Sequence, residues 1–474
     1  MEKSYTKHVK DFFNKIADKR DCWKNKNSYY HEQISKLCKF LIPSKNITLD
    51  IGCGTGDLLA SLSPSHGVGL DIAENMVKIA RKKYPNLKFY TQDAQNVTIN
   101  ERFDYIILSD ILGDLEDIQK AFEELKKVSD QKTRIIITFY NYLWEPILAI
   151  GERLGIKMPQ PLQNWLAKKD VENILNLTGL EVIKSGKYLL LPINIPLIST
   201  IINTYIARLP IIRDFCLVNY FVVRQNPNYN PDKEYSVSVV IPARNEAGNI
   251  EDAVIRTPKL GRNTELIFIE GHSRDNTREE IKKIIEKYKN KKNISFVDQG
   301  KEKGKADAVR KGFDKARGEI LIILDADLTV APEELQKFYQ LLRTNKSEFV
   351  QGSRLVYPLE KDAMRFLNKL GNKFFSIAFT WLLDQEIKDT LCGTKALFRN
   401  DYDRIAANRS YFGDFDPFGD YDLIFGASKL NLKMSEIPVR YYARKYGSTN
   451  ISRFKHGLLL FRMTLFAARK LKFI

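Results

Sequence analysis

Two wound α/β domains in series are predicted for this chain, and three observations predict them. Apolar strands alternate with amphipathic helices along both halves of the 474 residues. The stretch from Gln225 to Glu234, Gln-Asn-Pro-Asn-Tyr-Asn-Pro-Asp-Lys-Glu, has no apolar pattern and reads as a linker. Each half also holds an apolar strand that runs straight into a turn carrying carboxylates, which is where open α/β sheets bind ligands. The expected division is residues 1–228 for the first domain, 229–235 for the linker and 236–474 for the second.

In the first half, Ile47 to Gly52 and Asp104 to Ser109 are short apolar strands, and Arg134 to Tyr140 is another. Met76, Ile79 and Ala80 share one face of a helix over Glu74–Tyr84, and Leu115, Ile118, Phe122 and Leu125 line another. In the second half, Val237 to Ile241 is a strand stopped by Pro242. Leu266 to Glu270 follows it, and Ile281, Ile284, Ile285 and Tyr288 form a helical stripe. Ile320 to Leu324 is apolar throughout, as expected of a strand buried on both faces.

Composition bounds the partners. Hydrophobic residues make up 44% and charged residues 28%, a globular balance rather than a disordered one. The formal charge of +17 suits an anionic partner such as phosphate, nucleic acid or an acidic membrane, and does not choose among them. Nucleic acid is not the expected partner. The Lys-rich run Lys287–Asn293 reads as a solvated helix end, and no aromatic-rich platform or recognition motif accompanies it. The five cysteines are scattered and lack metal-site spacing, which points to reduced thiols in a cytoplasmic protein. No signal peptide is expected from the N-terminus. Tyr188 to Ala207 holds no charge, but Pro192, Asn194, Pro196 and Asn203 interrupt it. A buried or interfacial segment is expected there rather than a membrane span.

The first half's chemistry centres on Leu49-Asp50-Ile51-Gly52-Cys53-Gly54-Thr55-Gly56. A dinucleotide turn spaces its glycines differently and places pyrophosphate on a helix N-terminus. Here Asp50 stands beside the turn and would repel pyrophosphate, so a phosphate-free ligand with a cationic ammonium group suits it better. Asp71 ends the next strand, where an acid can take two ribose hydroxyls. Asp93 ends a third strand, within reach of an adenine amine. Over about residues 25–145 this set resembles the class I S-adenosylmethionine (SAM)-dependent methyltransferases, which have a Rossmann-like fold. The resemblance implies that Gly52, Gly54 and Gly56 floor the methionine moiety, that Asp71 takes the ribose and Asp93 the adenine, and that Ser109 and Asp110 stand beside the cofactor. No general base is evident. His31 is a candidate by residue type, with an exposed bystander as the plainer reading, and methyl transfer can proceed by alignment alone.

The second half's chemistry centres on Ile323-Leu324-Asp325-Ala326-Asp327. Two hard carboxylates at the end of a strand can hold Mg²⁺ or Mn²⁺ against a diphosphate. Val239 to Glu246, Glu270 to Asp275, Gly304-Lys305 and Gly352-Ser353-Arg354 add context. Over about residues 236–450 the set resembles inverting glycosyltransferases with a GT-A fold, especially the polyprenyl-phosphate sugar transferases. That resemblance implies a nucleotide-sugar donor bound by Pro242, Arg244, Glu246 and Glu270, with Lys305 and Arg444 among the donor's neighbours. It implies metal and diphosphate on Asp325 and Asp327, an acceptor phosphate on Arg354, Asp389 as base, and Arg444, Gly447 and Asn450 in a closing loop.

The second half also departs from that pattern. Gly271 and Thr329 stand where the family often has an acid and a Gln, and no membrane span is evident after residue 450. Asp414, Asp416, Asp420 and Asp422 form an acidic loop, either catalytic or solvated. Lys455, Arg462 and Arg469 share one face of a terminal helix that either lies in a lipid interface or docks on the sheet.

The expected function is glycosyl transfer to a polyprenyl phosphate or related anionic acceptor, with SAM-dependent methylation of the product or a related metabolite. The expected place is the cytoplasm, with peripheral attachment at the inner face of the membrane. The alternative makes the first domain a binding or docking module only.

Overall fold

The computed structural model describes residues 5–227, 230, 232–301, 304–356, 366–411, 421–446 and 453–473. Gly447, Asn450, Asp414, Asp416 and Asp420 therefore lie outside the described residues. The chain divides into two compact units that meet in sequence at Asn226 and Pro227.

The first unit is built on seven strands: β1 (Ile47–Ile51), β2 (His66–Asp71), β3 (Lys88–Thr91), β4 (Tyr105–Ser109), β5 (Arg134–Tyr140), β6 (Leu180–Tyr188) and β7 (Val218–Gln225). They pair in the order β3-β2-β1-β4-β5-β7-β6. β1 to β5 run parallel, and most of their apolar residues are buried, with Ile47 and Tyr90 exposed at the strand margins. β7 pairs antiparallel with β5 and with β6. The strand order reverses between β1 and β4, so a crevice opens beyond their carboxyl ends.

The second unit also has seven strands: β8 (Ser236–Ala243), β9 (Asn263–Glu270), β10 (Asn293–Asp298), β11 (Ile320–Ile323), β12 (Phe349–Ser353), β13 (Lys395–Phe398) and β14 (Met434–Pro438). Their order is β10-β9-β8-β11-β13-β12-β14. β13 is antiparallel to both β11 and β12, which makes the sheet mixed. The reversal falls between β8 and β11, so the loops after these two strands face one another. β11 is buried along its whole length, as its unbroken apolar run predicts.

Two expected segments take definite form. Tyr188 to Ala207 is not a span, and it is buried only in part: Tyr188, Leu189 and Ala207 are in the interior while much of its middle is exposed. It leaves the end of β6, forms the short helix Ile198–Thr204 and keeps Ile193, Leu197, Ile198, Ile201 and Tyr205 exposed. The terminal helix Arg453–Leu471 buries Leu460, Met463 and Ala467, while Leu458, Phe461 and Leu465 stay in solvent. It therefore docks by one apolar stripe and exposes another. Among the described residues, no helix is long and apolar enough to cross a membrane.

Candidate active sites

In the first unit, β1 ends in a turn whose three glycines, Gly52, Gly54 and Gly56, all take positive φ. Gly54 matters most for access. A Cβ built there meets no atom within 4 Å, so the backbone faces open space. The turn is pinned by Asp71 at the end of β2, whose Oδ2 accepts from the Gly54 N–H at 2.8 Å and whose Oδ1 accepts from the Ala73 N–H at 2.9 Å. Asp50 is fully buried beneath the turn, and its Oδ2 accepts no hydrogen bond. Burial pushes its carboxyl up to about 7; Lys24 opposes that rise and Asp71 adds to it.

These groups line a cleft of about 1210 Å³. Asp50, Gly52, Gly54, Asp71, Asp93, Ser109 and Asp110 all reach it. Gly56 does not. It sits under the turn, where an added Cβ would lie 2.8 Å from the Phe89 ring, so its task is close packing rather than flooring a ligand. Asp93 accepts from the Gln95 N–H at 2.9 Å. Asp110, at φ 57°, is held by the hydroxyls of Tyr30 and Thr138, and burial raises its carboxyl. His31 is a half-buried part of the cleft wall, not an exposed bystander. Burial, with Arg20 and Lys24 close by, pushes its imidazole down to about 3, so it stays neutral at physiological pH. Tyr30 was not singled out by sequence reasoning. Its partner Asp110 lies far along the chain, and no local signal joins the two.

In the second unit, β11 delivers Asp325 and Asp327 half-buried at the switch point. Lys305 Nζ stands 2.5 Å from Asp325 Oδ1. Arg444 bridges two acids, with Nη1 2.7 Å from Glu246 Oε1 and Nη2 2.6 Å from Asp327 Oδ2. Glu246 also accepts from Asn249 at 2.7 Å, and burial lifts its carboxyl to about 7 against the pull of Arg444. Thr329, which stands where the resembled family often has a Gln, donates its hydroxyl to Asp327 Oδ1 at 2.9 Å and so orients that acid. Gly393 leaves the space this arrangement needs. A Cβ there would fall 2.2 Å from Asp325 Oδ2 and 2.3 Å from Lys305 Nζ. Sequence reading singled out Asp389, four residues earlier, and not Gly393, because Asp325 approaches Gly393 only in the fold.

Pro242 lies half-buried inside β8, and Arg244 is exposed just beyond it. Glu270 is buried at the end of β9. Its carboxylate is taken by the Ser273 N–H at 2.6 Å and by Arg278 at 2.8 Å, which together outweigh burial and lower its proton affinity. Two expectations need correction. Asp389 is completely buried and receives Arg354 at both oxygens, the Arg354 backbone N–H, the Asn372 amide and the Leu391 N–H. Burial alone would raise its carboxyl, but Arg354 and the other donors hold it at about 2, so it is poorly suited to accept a proton. Arg354 correspondingly turns to Asp389 and to the Tyr441 ring, 5.0 Å away, rather than outward to an acceptor. In the acidic loop, the described Asp422 is nearly buried between Arg310 and Arg409.

A methyltransferase-domain family model matches residues 42–177, and the model of glycosyl transferase family 2 matches residues 238–405. The chain carries a methyltransferase domain followed by a family 2 glycosyltransferase domain. The glycosyltransferase domain is similar to the dolichol-phosphate mannosyltransferase of Pyrococcus furiosus, 32% identical over 165 residues, which cover 34% of this chain and 46% of that protein. It is also similar to the dolichyl-phosphate beta-glucosyltransferase of Saccharomyces cerevisiae, 29% identical over 248 residues, which cover 47% of this chain and 72% of that protein. The chain spans about half the length of the mannosyltransferase it matches. The methyltransferase domain aligns with the magnesium protoporphyrin IX methyltransferase of Synechocystis at 19% identity and a TM-score of 0.35, covering 46% of this chain and 99% of that one.

Proposed function

We propose that the glycosyltransferase domain moves a sugar from a nucleotide donor to polyprenyl phosphate or a related anionic acceptor. We propose further that the methyltransferase domain uses SAM to methylate the product or a related metabolite. One observation carries the first reading: Asp325 and Asp327 stand at the switch point of a mixed sheet, each matched by a basic side chain that a diphosphate could claim.

The carboxylates suit Mg²⁺ or Mn²⁺. Among the described residues, no cluster of three or more acidic, His or Cys side chains forms a complete cage. Two hard carboxylates, beside which Gly393 leaves space, instead suit a cation that would be shared with the phosphates of the donor. Asp325 and Asp327 would hold it, and its chemistry is to offset the charge of the departing nucleoside diphosphate. Lys305 and Arg444 exchange carboxylate for phosphate oxygens, which keeps the diphosphate in place as the glycosidic bond breaks. Arg244, exposed beyond β8, and Glu246 face the nucleoside. An acceptor phosphate is already ionised, so no base is required, which accords with Asp389 being committed to Arg354. The names of the relatives support a lipid-phosphate acceptor; a protein attached peripherally at a membrane surface would meet such a lipid there.

In the methyltransferase domain the residues fit SAM. Gly54 offers bare backbone, Asp71 retains acceptor capacity for ribose hydroxyls, and the orphaned Oδ2 of Asp50 can receive the ammonium group. Asp93 lines the cleft and would take the adenine amine, with Ser109 and Asp110 also in the lining and beside the methyl donor in this reading. Alignment in the cleft supplies most of the rate enhancement that methyl transfer needs.

The deciding experiment is a donor screen. The full chain is combined with Mn²⁺ or Mg²⁺, several nucleotide sugars and a polyprenyl phosphate, with and without SAM, and products are read by mass spectrometry. A sugar-phosphate lipid is the expected product; its absence with every donor rejects the glycosyl-transfer reading. Calorimetric titration of SAM, with Asp71→Ala as control, tests the other domain. No binding heat would leave it as a docking module.

A further inference from the structure

The methyltransferase cleft has a second chemical character at its mouth. Ile147 and Ile150 lie on the helix Glu145–Arg153, Leu154 and Ile156 follow it, and Ile193 comes from the segment after β6. All five line the cleft, yet each is between 50% and 68% exposed. The helix that carries the first two buries no residue at all. Aliphatic side chains scattered singly on a surface need no explanation, but five converging on one opening from separate stretches of chain do.

The inner end of the same cleft is polar. Asp50, Asp71 and Asp110 lie there with Tyr30, whose hydroxyl is bound to Asp110. At about 1210 Å³ the cleft is larger than the roughly 300–1,000 Å³ typical of a single small-molecule site. A cofactor on the glycine turn therefore leaves room for a second molecule. That molecule must bring a nucleophilic polar head to the inner end, and its remaining length passes over the aliphatic mouth. A protein partner could cover an apolar face, but the continuity of this face with the interior of the cleft favours a ligand that enters it.

From this continuity we infer that the methyl acceptor is an amphiphile, with a polar head at the Tyr30–Asp110 end and a hydrocarbon chain lying along Ile147, Ile150, Leu154, Ile156 and Ile193. The inference rests on reading this unit as a SAM-dependent methyltransferase, and names the class of its acceptor. It also gives the methyltransferase domain an apolar contact of its own, independent of any lipid used by the glycosyltransferase domain.

The test uses the full chain with S-adenosylhomocysteine bound and two probes, hexyl β-glucoside and dodecyl β-glucoside, each below its micelle concentration. Binding is measured by calorimetry. The longer chain should bind at least about tenfold more tightly, because each buried methylene is favourable. The double substitution Ile147→Gln/Ile150→Gln should abolish most of that preference and leave SAM affinity unchanged. Leu177→Gln, which alters an exposed leucine that does not line the cleft, should alter neither. Equal affinity for both probes, or a wild-type chain-length preference in the double variant, overturns the inference. Failure to bind SAM at all is a separate result. It rejects the methyltransferase reading, and the inference with it, whereas intact SAM binding without a chain-length preference rejects the inference alone.

Discussion

Arg354 and Asp389 meet as a two-pronged ion pair, with Nε 2.7 Å from Oδ2 and Nη2 2.8 Å from Oδ1. The pair ties the end of β12 to the loop that leads into β13. Removing one partner strands a buried charge, so Asp389→Ala should cost about 3–5 kcal/mol of stability. Replacing both with Met and Leu should recover much of the loss. Chemical denaturation checks both statements. A catalytic base would behave differently: the single substitution would stop turnover while leaving the denaturation midpoint in place.

Gly393 should be intolerant for reasons of ligand binding rather than folding. In Gly393→Ala the new methyl group overlaps Asp325 Oδ2 and Lys305 Nζ, which must separate. The variant is expected to keep its thermal midpoint within a few degrees and to lose about 10²-fold in kcat/KM for the nucleotide sugar, as misplaced positioning groups do. Steady-state kinetics beside a melting curve will show whether the two effects part.

Asp50 should make stability depend on pH. Its folded carboxyl titrates at about 7, above the ordinary carboxylate value of about 3.9. Between those values the folded state holds the proton more tightly than the unfolded chain. The contribution of this group is therefore complete below about pH 4 and is lost as pH rises through about 7. Asp50→Asn removes the titration. Melting temperatures of the two proteins should agree near about pH 4, and the variant should be the more stable by about pH 8. A gap that does not change with pH would mean that Asp50 is ionised in the fold.

Glu246 should tune nucleotide affinity through Arg444. Its carboxyl also titrates at about 7, because burial outweighs Arg444. Below that pH the neutral acid holds Arg444 weakly and leaves the guanidinium for an incoming diphosphate. Above it the carboxylate competes. Affinity for the nucleoside diphosphate of the identified donor should fall as pH rises from about 6 to about 8, and Glu246→Gln should flatten the profile. Calorimetry across that range gives the comparison.

The sequence alone determined the local chemistry: which strands end in carboxylates, where the glycine turn lies, and that two α/β units follow one another. A buried strand announces itself by composition, as Ile320–Ile323 does, and a turn by its glycines. It did not show which side chains those carboxylates would face. Arg354 reads like an outward-facing guanidinium beside a strand end, and Asp389 like a free acid in a loop. The pairing that commits each to the other joins residues 35 apart. The strands β7 and β13, which run against their neighbours, were likewise not visible, because pairing direction is set by long-range packing rather than by pattern. The apolar mouth of the methyltransferase cleft has the same origin. Ile150 and Ile193 are ordinary residues in separate stretches of chain, and only the fold brings them to one opening. Period and composition act over a turn or a strand, whereas orientation and partnership depend on contacts between distant segments, which is why the tertiary structure had to decide them.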